Sequence, residues 1–479
     1  MRKIQDTQLH FIGIGGIGMS GIAEVFLNQG YRVSGSDLVE SDLTRHLSLL
    51  GAKISVGHRA ENVLGAHVVV ISSAVRPENP ELVEARALRI PVIPRAEMLG
   101  ELMRGKTGIA LAGTHGKTTT TSMVAAILTE CGLDPTLVIG GKVDSLSSGS
   151  SGGNAKLGQG KYVVAEADES DGSFLHLPAT YGVVTNIDND HLDHFGSIEK
   201  IEDAFVDFIA KLPFYGLAAV CLDDARVRRC LPRFTKPIVT YGTSLDADLY
   251  ASELRVDDHS IGTSFVAHRR RIPFSLNSSG HESHERLGSV SLRVPGRHNV
   301  LNALAATVIG LELGLGFEPI AQALSGFRGV KRRFDIRWRD DESRRIIVDD
   351  YGHHPTEIRA TLAAARSTWK GRIITIFQPH RYTRTLHCHD GFLSAFADTD
   401  VLWMTDIYPA GEDPIPGVSA PALIDAIRSS HMAPREIQHF GDLAEARIAA
   451  LEHFVDGDMI LCLGAGSITR LAEQLAAAQ

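Results

Sequence analysis

Thr107–Glu130 reads TGIALAGTHGKTTTTSMVAAILTE, and the rest of the chain can be read outward from it. Ile109–Ala112 is an apolar run too short for a helix and suited to a buried strand. Gly113-Thr114-His115-Gly116-Lys117-Thr118 follows. Apolar residues then recur at Met123, Val124, Ile127 and Leu128 with helical spacing, until Gly132. A strand, a glycine turn and a helix in this order make a cradle for phosphate. The glycines let backbone N–H groups face an anion, and the helix N-terminus adds partial positive charge. Lys117 is placed to reach terminal phosphates and Thr118 to hold Mg²⁺. The turn has two residues between its glycines where the standard P-loop has four, so an ordinary strand–helix turn is the competing reading.

Upstream, Leu9–Ile12 is a second candidate strand, followed by Gly13-Ile14-Gly15-Gly16-Ile17-Gly18 and a helical pattern over Ser20–Gln29. A further strand at Tyr31–Gly35 leads to Asp37. A dinucleotide-binding turn has this form, with an acid about 20 residues on. Close packing of strand on helix accounts for the glycines equally well, as does a phosphate site for a nucleoside diphosphate sugar. Val68–Ser72 is another buried strand, running into Ser72 and Ser73.

Downstream, Tyr162–Ala165 is apolar and runs into Glu166-Ala167-Asp168-Glu169-Ser170-Asp171. A strand that ends in acids is how a P-loop protein offers a carboxylate to Mg²⁺. Tyr181–Ile187 runs likewise into Asp188-Asn189-Asp190-His191, so His191 is a candidate for metal or substrate. Ser145–Asn154 and Asn277–Leu287 read as exposed polar loops. Asn299, opening the helical run after Arg297, reads as a cap before it reads as a ligand contact. From Gly329 onward strands again end in polar clusters: Asp350-Tyr351-Gly352-His353-His354, then Gln378-Pro379-His380-Arg381-Tyr382-Thr383-Arg384. The alternation implies parallel sheets with ligands at the carboxyl ends of their strands. Two arginines three residues apart at such an end suit a carboxylate.

The totals narrow the function classes. The chain has 479 residues, enough for about three domains. A net charge of −9 argues against sequence-independent nucleic-acid binding. Five widely spaced cysteines with no CxxC suggest neither a disulfide framework nor a zinc site. No cleavable leader or membrane span is expected, and a reducing cytoplasm is the expected compartment.

AGTHGKTTTTSM, EADESDGSFLHL, VVTNIDNDHLDHFGS, GRHNVLNALAA, VDDYGHHPTEI, FQPHRYTRT and DIYPAGEDPIPG together resemble the Mur ligase family, from HFIGIGGIGMSGIAE to LCLGAGSIT. The family writes its shortened P-loop as GTHGKTT. The resemblance implies three α/β domains: a Rossmann-like domain over 1–105 for UDP-N-acetylmuramate, a P-loop ATPase domain over 106–328, and a Rossmann-like domain over 329–479 for the amino acid and part of ATP. It assigns Gly13, Gly15, Gly16, Gly18, Asp37, Ser72 and Ser73 to the UDP-sugar. ATP falls to Gly113, Thr114, His115, Gly116, Lys117, Thr118 and Thr119, with Asn299, Arg332 and Asp350. Thr118, Glu166 and His191 fall to Mg²⁺. Tyr351, His380, Arg381 and Arg384 fall to the amino acid, and His353 is a candidate base. Catalysis is implied to rest on Lys117, Glu166, His191, His353 and Arg381. The implied reaction is ATP-dependent ligation of L-alanine to the lactyl carboxylate of UDP-N-acetylmuramate through an acyl phosphate. Joining a preformed murein tripeptide to the same sugar is the alternative. No nucleic-acid or membrane partner is implied, and the expected state is monomer or homodimer. An NAD-dependent oxidoreductase would leave the cradle unexplained. A nucleotide-binding regulator would leave the His/Arg cluster of the third domain unexplained.

Overall fold

The computed structural model describes residues 4–143, 153–257, 261–271 and 283–479. The chain builds three sheets in succession. The first uses β1 (Gln8–Ile12), β2 (Arg32–Asp37), β3 (Lys53–Val56), β4 (Val68–Ile71) and β5 (Val92–Pro94), with α1 (Ile17–Asn28), α2 (Asp42–Leu49), α3 (Pro80–Ala87) and α4 (Arg95–Met103) between or after them. Its strand order is β3-β2-β1-β4-β5, all parallel. The order reverses between β1 and β4. The glycine turn after β1 and Ser72-Ser73 after β4 therefore flank one crevice, the usual ligand position in such a sheet.

The second sheet starts at β6 (Thr107–Ala112), whose glycine turn leads into α5 (Lys117–Glu130). It continues through β7 (Thr136–Val143), β8 (Gly153–Lys156), β9 (Tyr162–Glu166) and β10 (Tyr181–Val184). Then come α6 (Leu192–Phe195), α7 (Ile198–Ala210), β11 (Leu217–Cys221), α8 (Ala225–Cys230), β12 (Ile238–Gly242), β13 (Leu249–Asp257), β14 (Gly262–Arg271) and β15 (Ser283–Leu292). The order is β15-β14-β13-β12-β11-β10-β6-β9-β7-β8. β6 lies between β9 and β10 with both pairings parallel, so its turn faces the acids that end β9 and the polar run after β10. The Ser145–Asn154 loop falls largely outside the described residues. So does the first part of the Asn277–Leu287 loop, but its last part, from Ser283, is strand β15 and not loop. Alternating exposure along that strand hides its apolar residues among polar ones, which is why it reads as a loop.

α9 (Arg297–Glu312) and α10 (Phe317–Gly326) lead to the third sheet. Its elements are β16 (Asp335–Asp340), β17 (Arg345–Asp350), α11 (Pro355–Thr368), β18 (Ile373–Phe377), α12 (Tyr382–His387), α13 (His389–Phe392) and β19 (Val401–Thr405). The chain closes with α14 (Ala420–Arg428), β20 (Glu436–Phe440), α15 (Leu443–His453), β21 (Met459–Leu463) and α16 (Ile468–Ala477). The order is β16-β17-β21-β18-β19-β20, with only β16 antiparallel. By compactness the residues fall into two units. One is 1–252, 266–290 and 301–327; the other is 253–265, 291–300 and 328–479. Among the described residues no helix is long and apolar enough to cross a membrane, and all five cysteines are free thiols.

Within the first unit, α1 packs on β7 and β8, joining the cores of the first two sheets. Under the first sheet lies a buried charge. Glu81, fully inaccessible in α3, accepts hydrogen bonds from the Ser36 hydroxyl at 2.6 Å and from the Asn62 amide, and meets His10 Nε2 at 3.3 Å. Burial opposes ionisation, but the bonds from His10, Ser36 and Asn62 outweigh it and hold the carboxyl at about 2. With a folded value below the ordinary 4.5, this group adds stability that is complete above about pH 4.5 and is lost as pH falls toward 2. Glu81→Gln should cost about 2–4 kcal/mol at neutral pH. Urea unfolding of both proteins should show the gap narrowing steadily in acid.

Candidate active site

The turn after β6 is built so that only glycine fits at two places. Gly113 has φ +126°, and a Cβ there would stand 2.0 Å from Thr185 Oγ1. Gly116 has φ +82°, with Asn302 Oδ1 2.7 Å from the same imagined atom. The loop is held from outside by the run after β10. Thr185 Oγ1 donates to the His115 carbonyl at 2.6 Å, Asn186 Nδ2 donates to it at 2.9 Å, and the His115 N–H donates to Asn186 Oδ1 at 2.8 Å. Asp188 pairs with His115 Nε2 at 3.0 Å, and its own N–H donates to Thr114 Oγ1 at 2.9 Å. The threonine run of α5 has poor helix propensity. Here Thr120, Thr121 and Ser122 each donate a hydroxyl to the carbonyl four residues back, and Thr119–Ser122 are buried. Thr118 is the second residue of this helix.

Lys117 opens α5 and turns back over the loop. Its ammonium donates to the carbonyls of Gly113 at 2.8 Å and Thr114 at 3.2 Å, and to Glu169 Oε1 at 2.8 Å. Burial disfavours the charge, but Glu169, Asp168 and Glu166 outweigh it and raise the lysine above its ordinary value. Glu169 is 2% exposed, and its Oε2 is buried with no hydrogen-bond partner. Glu166 lies against Gly140, where a Cβ would be 2.4 Å from Oε2. Asp168 is also surrounded: burial is outweighed by Lys117 and Arg95, leaving it at about 2. His191, in the left-handed region at φ 56°, lies within electrostatic reach of Glu169. The structure thus brings Lys117, Glu166 and His191 to one carboxylate cluster. It adds Glu169, which the sequence reading did not single out although it stands in the same acidic run.

In the first sheet the glycines and Asp37 serve the turn itself. Asp37 Oδ2 accepts the Gly15 N–H at 2.8 Å, and the Gly13 N–H donates to the Ser36 carbonyl at 2.8 Å. A Cβ on Gly15 would meet Asp37 Oδ2 at 2.8 Å. Gly16 is the N-cap of α1. The room left by Gly18 is taken by the Arg95 guanidinium, 2.4 Å from an imagined Cβ. Ser72 and Ser73 line a cleft of about 700 Å³, shared with Arg95, Arg104, Asp171 and His176.

The second unit gathers the remaining candidates. Asp350 accepts N–H groups from Phe334 and Gly352, both at 2.7 Å, and burial lifts it to about 6 against Arg333 and those donors. Arg332 and Arg333 stack on the Tyr351 ring, 4.8 and 5.1 Å from its centre. His353 Nδ1 donates to the Tyr351 carbonyl at 3.1 Å beside Glu357 Oε2 at 3.3 Å. His380 stacks on Tyr408, and its Nδ1 accepts from Arg384 at 3.3 Å. Burial, Arg384 and Arg381 bring it down to about 4, so it is neutral. Arg381, at φ 70°, faces Glu412 at 3.9 Å. Asn299 does not cap α9: it lies inside the first turn, where its Nδ2 donates to the Pro295 carbonyl at 2.7 Å. The contact at the start of α5 is made by Asn302, which accepts from Thr120 Oγ1 at 3.1 Å.

Asn186→Ala removes both side-chain bonds to His115. Amide exchange at His115 and Gly116 should speed up roughly 10–100-fold while exchange in β6 is unchanged. Hydrogen-exchange mass spectrometry or NMR reads this directly.

Comparison with known proteins agrees along the chain. The family profiles described as Mur ligase family, catalytic domain, as Mur ligase middle domain and as Mur ligase, glutamate ligase domain match residues 8–107, 111–310 and 332–466. A relative from Geotalea daltonii named UDP-N-acetylmuramate–L-alanine ligase is 53% identical over 468 residues, covering 98% of this chain and 97% of its own. The solved UDP-N-acetylmuramate-alanine ligase of Thermotoga maritima is 31% identical with a TM-score of 0.80, covering 98% of both chains. A murein peptide ligase from Psychrobacter arcticus has the same fold at 22% identity and a TM-score of 0.69, again over 98% of both. The chain belongs to the Mur ligase family.

Proposed function

We propose that the protein joins L-alanine to the lactyl carboxylate of UDP-N-acetylmuramate, using ATP and releasing ADP and phosphate, in cytoplasmic synthesis of peptidoglycan precursor. The observation that carries this reading is the charged Lys117 at the β6 turn, among three carboxylates. Similarity over almost the whole length to alanine-adding ligases supports the choice of amino acid. Residues 1–105 take the nucleotide sugar, 106–328 the ATP, and 329–479 the amino acid with part of the nucleotide.

The donor set suits Mg²⁺, a hard cation that prefers oxygen. Glu166 rests in the space left by Gly140, and the buried Glu169 Oε2 adds a second carboxylate oxygen to the cluster. Thr118, Glu166 and His191 would hold the ion. Bound there, Mg²⁺ neutralises charge on the transferring phosphoryl group.

Phosphoryl transfer needs positioned cations more than covalent help. Lys117 leaves Glu169 for the β/γ phosphates, and the backbone N–H groups of Gly113–Thr119 cradle them. The lactyl carboxylate oxygen attacks the γ-phosphorus and ADP departs, giving an acyl phosphate. The amine of alanine then attacks that carbonyl, and phosphate leaves from the tetrahedral intermediate. Arg381 and Arg384 offset negative charge on the amino-acid side, with Tyr351 and His380 shaping the pocket. Asn299, Arg332 and Asp350 serve the nucleotide. His353 is the candidate base for the amine, and His380 accepts a bond from Arg384.

Lys117→Ala should lower kcat roughly 100-fold or more with the fold kept, as judged by ADP release and circular dichroism. A second experiment addresses the amino acid. Competing L-alanine against L-alanyl-γ-D-glutamyl-diaminopimelate in one ADP-release assay should favour alanine. Glycine and serine should react about 10–200-fold more slowly. Preference for the tripeptide would assign the protein to recycling instead.

A further inference from the structure

We propose that Arg95 is a positioning residue that couples occupancy of the cleft by the nucleotide sugar to the ATP cluster at Lys117. The inference rests on the function proposed above and deepens it. Arg95 opens α4 in the first sheet's domain. One edge of its guanidinium donates to Asp168 Oδ2 at 2.9 Å. Another edge covers Gly18, at the end of the first glycine turn, where a Cβ would be 2.4 Å from the nearest nitrogen. A single planar cation therefore touches the glycine turn of one sheet and the acidic run of the next.

The acidic run continues the connection. Asp168 Oδ1 accepts the Ser170 N–H at 3.1 Å, and Asp171 Oδ1 accepts the Ser173 N–H at 3.0 Å. Asp168 is one of the three carboxylates that act on Lys117, while Asp171, Gly172 and Ser173 line the cleft together with Arg95. The segment from 168 to 173 thus has one end at the phosphate lysine and the other at the cleft. Arg104 adds a second guanidinium to the cleft wall, which also carries Glu97, Asp171 and His176. The two guanidiniums are the groups of that wall that suit a diphosphate. Guanidinium has five donors in a fixed fork, so Arg95 can hold Asp168 while accepting a ligand anion on another edge. Lysine, a point charge, cannot do both in one plane.

The test is a linkage measurement. The affinity for a non-hydrolysable ATP analogue with Mg²⁺ is measured by calorimetry with and without saturating UDP-N-acetylmuramate, in the parent protein, Arg95→Ala and Arg95→Lys. Thermal unfolding of each variant checks the fold. The parent should bind the analogue at least about 5-fold more tightly with the sugar present. Arg95→Ala should reduce that ratio below about 2-fold while leaving affinity for the analogue alone within about 2-fold. Arg95→Lys should fall between them. Because Arg95 is a quarter exposed, with a side-chain accessibility of 24%, the lysine variant keeps the experiment decisive if alanine disturbs folding. An unchanged ratio in a folded variant overturns the inference, as does equal weakening of both affinities, which marks a merely structural ion pair. A parent that binds the sugar but shows no linkage also overturns it and leaves the proposed function standing. A parent that does not bind UDP-N-acetylmuramate overturns both.

Discussion

A lysine charge buried among carboxylates at the end of a parallel strand is the interaction around which this protein is organised. Lys117 is largely withdrawn from water and keeps its proton because Glu169, Asp168 and Glu166 surround it. Such a group is costly unless every neighbour is in place, so the elements that supply those neighbours must be fixed with respect to one another. β9 delivers the acids, β6 delivers the loop, and the Thr185–Asp188 run after β10 holds that loop by its backbone. The parallel pairing of the three strands puts all of this at one edge.

The same geometric rule operates three times. Each sheet has a parallel centre, and in each the polar residues stand where those strands end. The first sheet presents Ser72, Ser73 and the glycine turn, the second the phosphate turn, and the third Asp350, Tyr351 and His380. Repetition of one architecture with different side chains at the strand ends gives a single chain three chemically distinct strand-end clusters. Arg95 shows how two such edges can be joined without a shared strand, through one guanidinium.

The strands and their polar ends were legible because each depends on a short contiguous run. β6, β9 and β17 are apolar stretches closed by characteristic residues, and local pattern was enough to find them. Gly113 and Gly116 were legible for the same reason, since a positive φ is demanded at the position itself. The first half of β15, Ser283–Leu287, reads as loop because polar residues dominate its composition. Asn299 was assigned a capping role from its place at a helix start. The helix begins three residues earlier than that reading requires, which puts the side chain inside the turn.

What the sequence determined by itself was the kind of chemistry: a phosphate turn with its lysine, acids at a strand end, and a family signature spread over the whole length. What tertiary structure decided was which neighbour each of these groups has. Glu169 beside Lys117, Asn302 beside Gly116, Asn186 on His115 and Arg95 between Gly18 and Asp168 are contacts between residues some 50 to 190 positions apart. Asp37, with the spacing of a ribose-binding acid, holds the Gly15 N–H of the glycine turn. Glu81 is fully buried through contacts with His10, Ser36 and Asn62, residues 19 to 71 positions away. The reason is physical. Backbone preference and periodicity act over a few residues, whereas burial and hydrogen-bond partnership depend on the distance across a folded core, which no local pattern records.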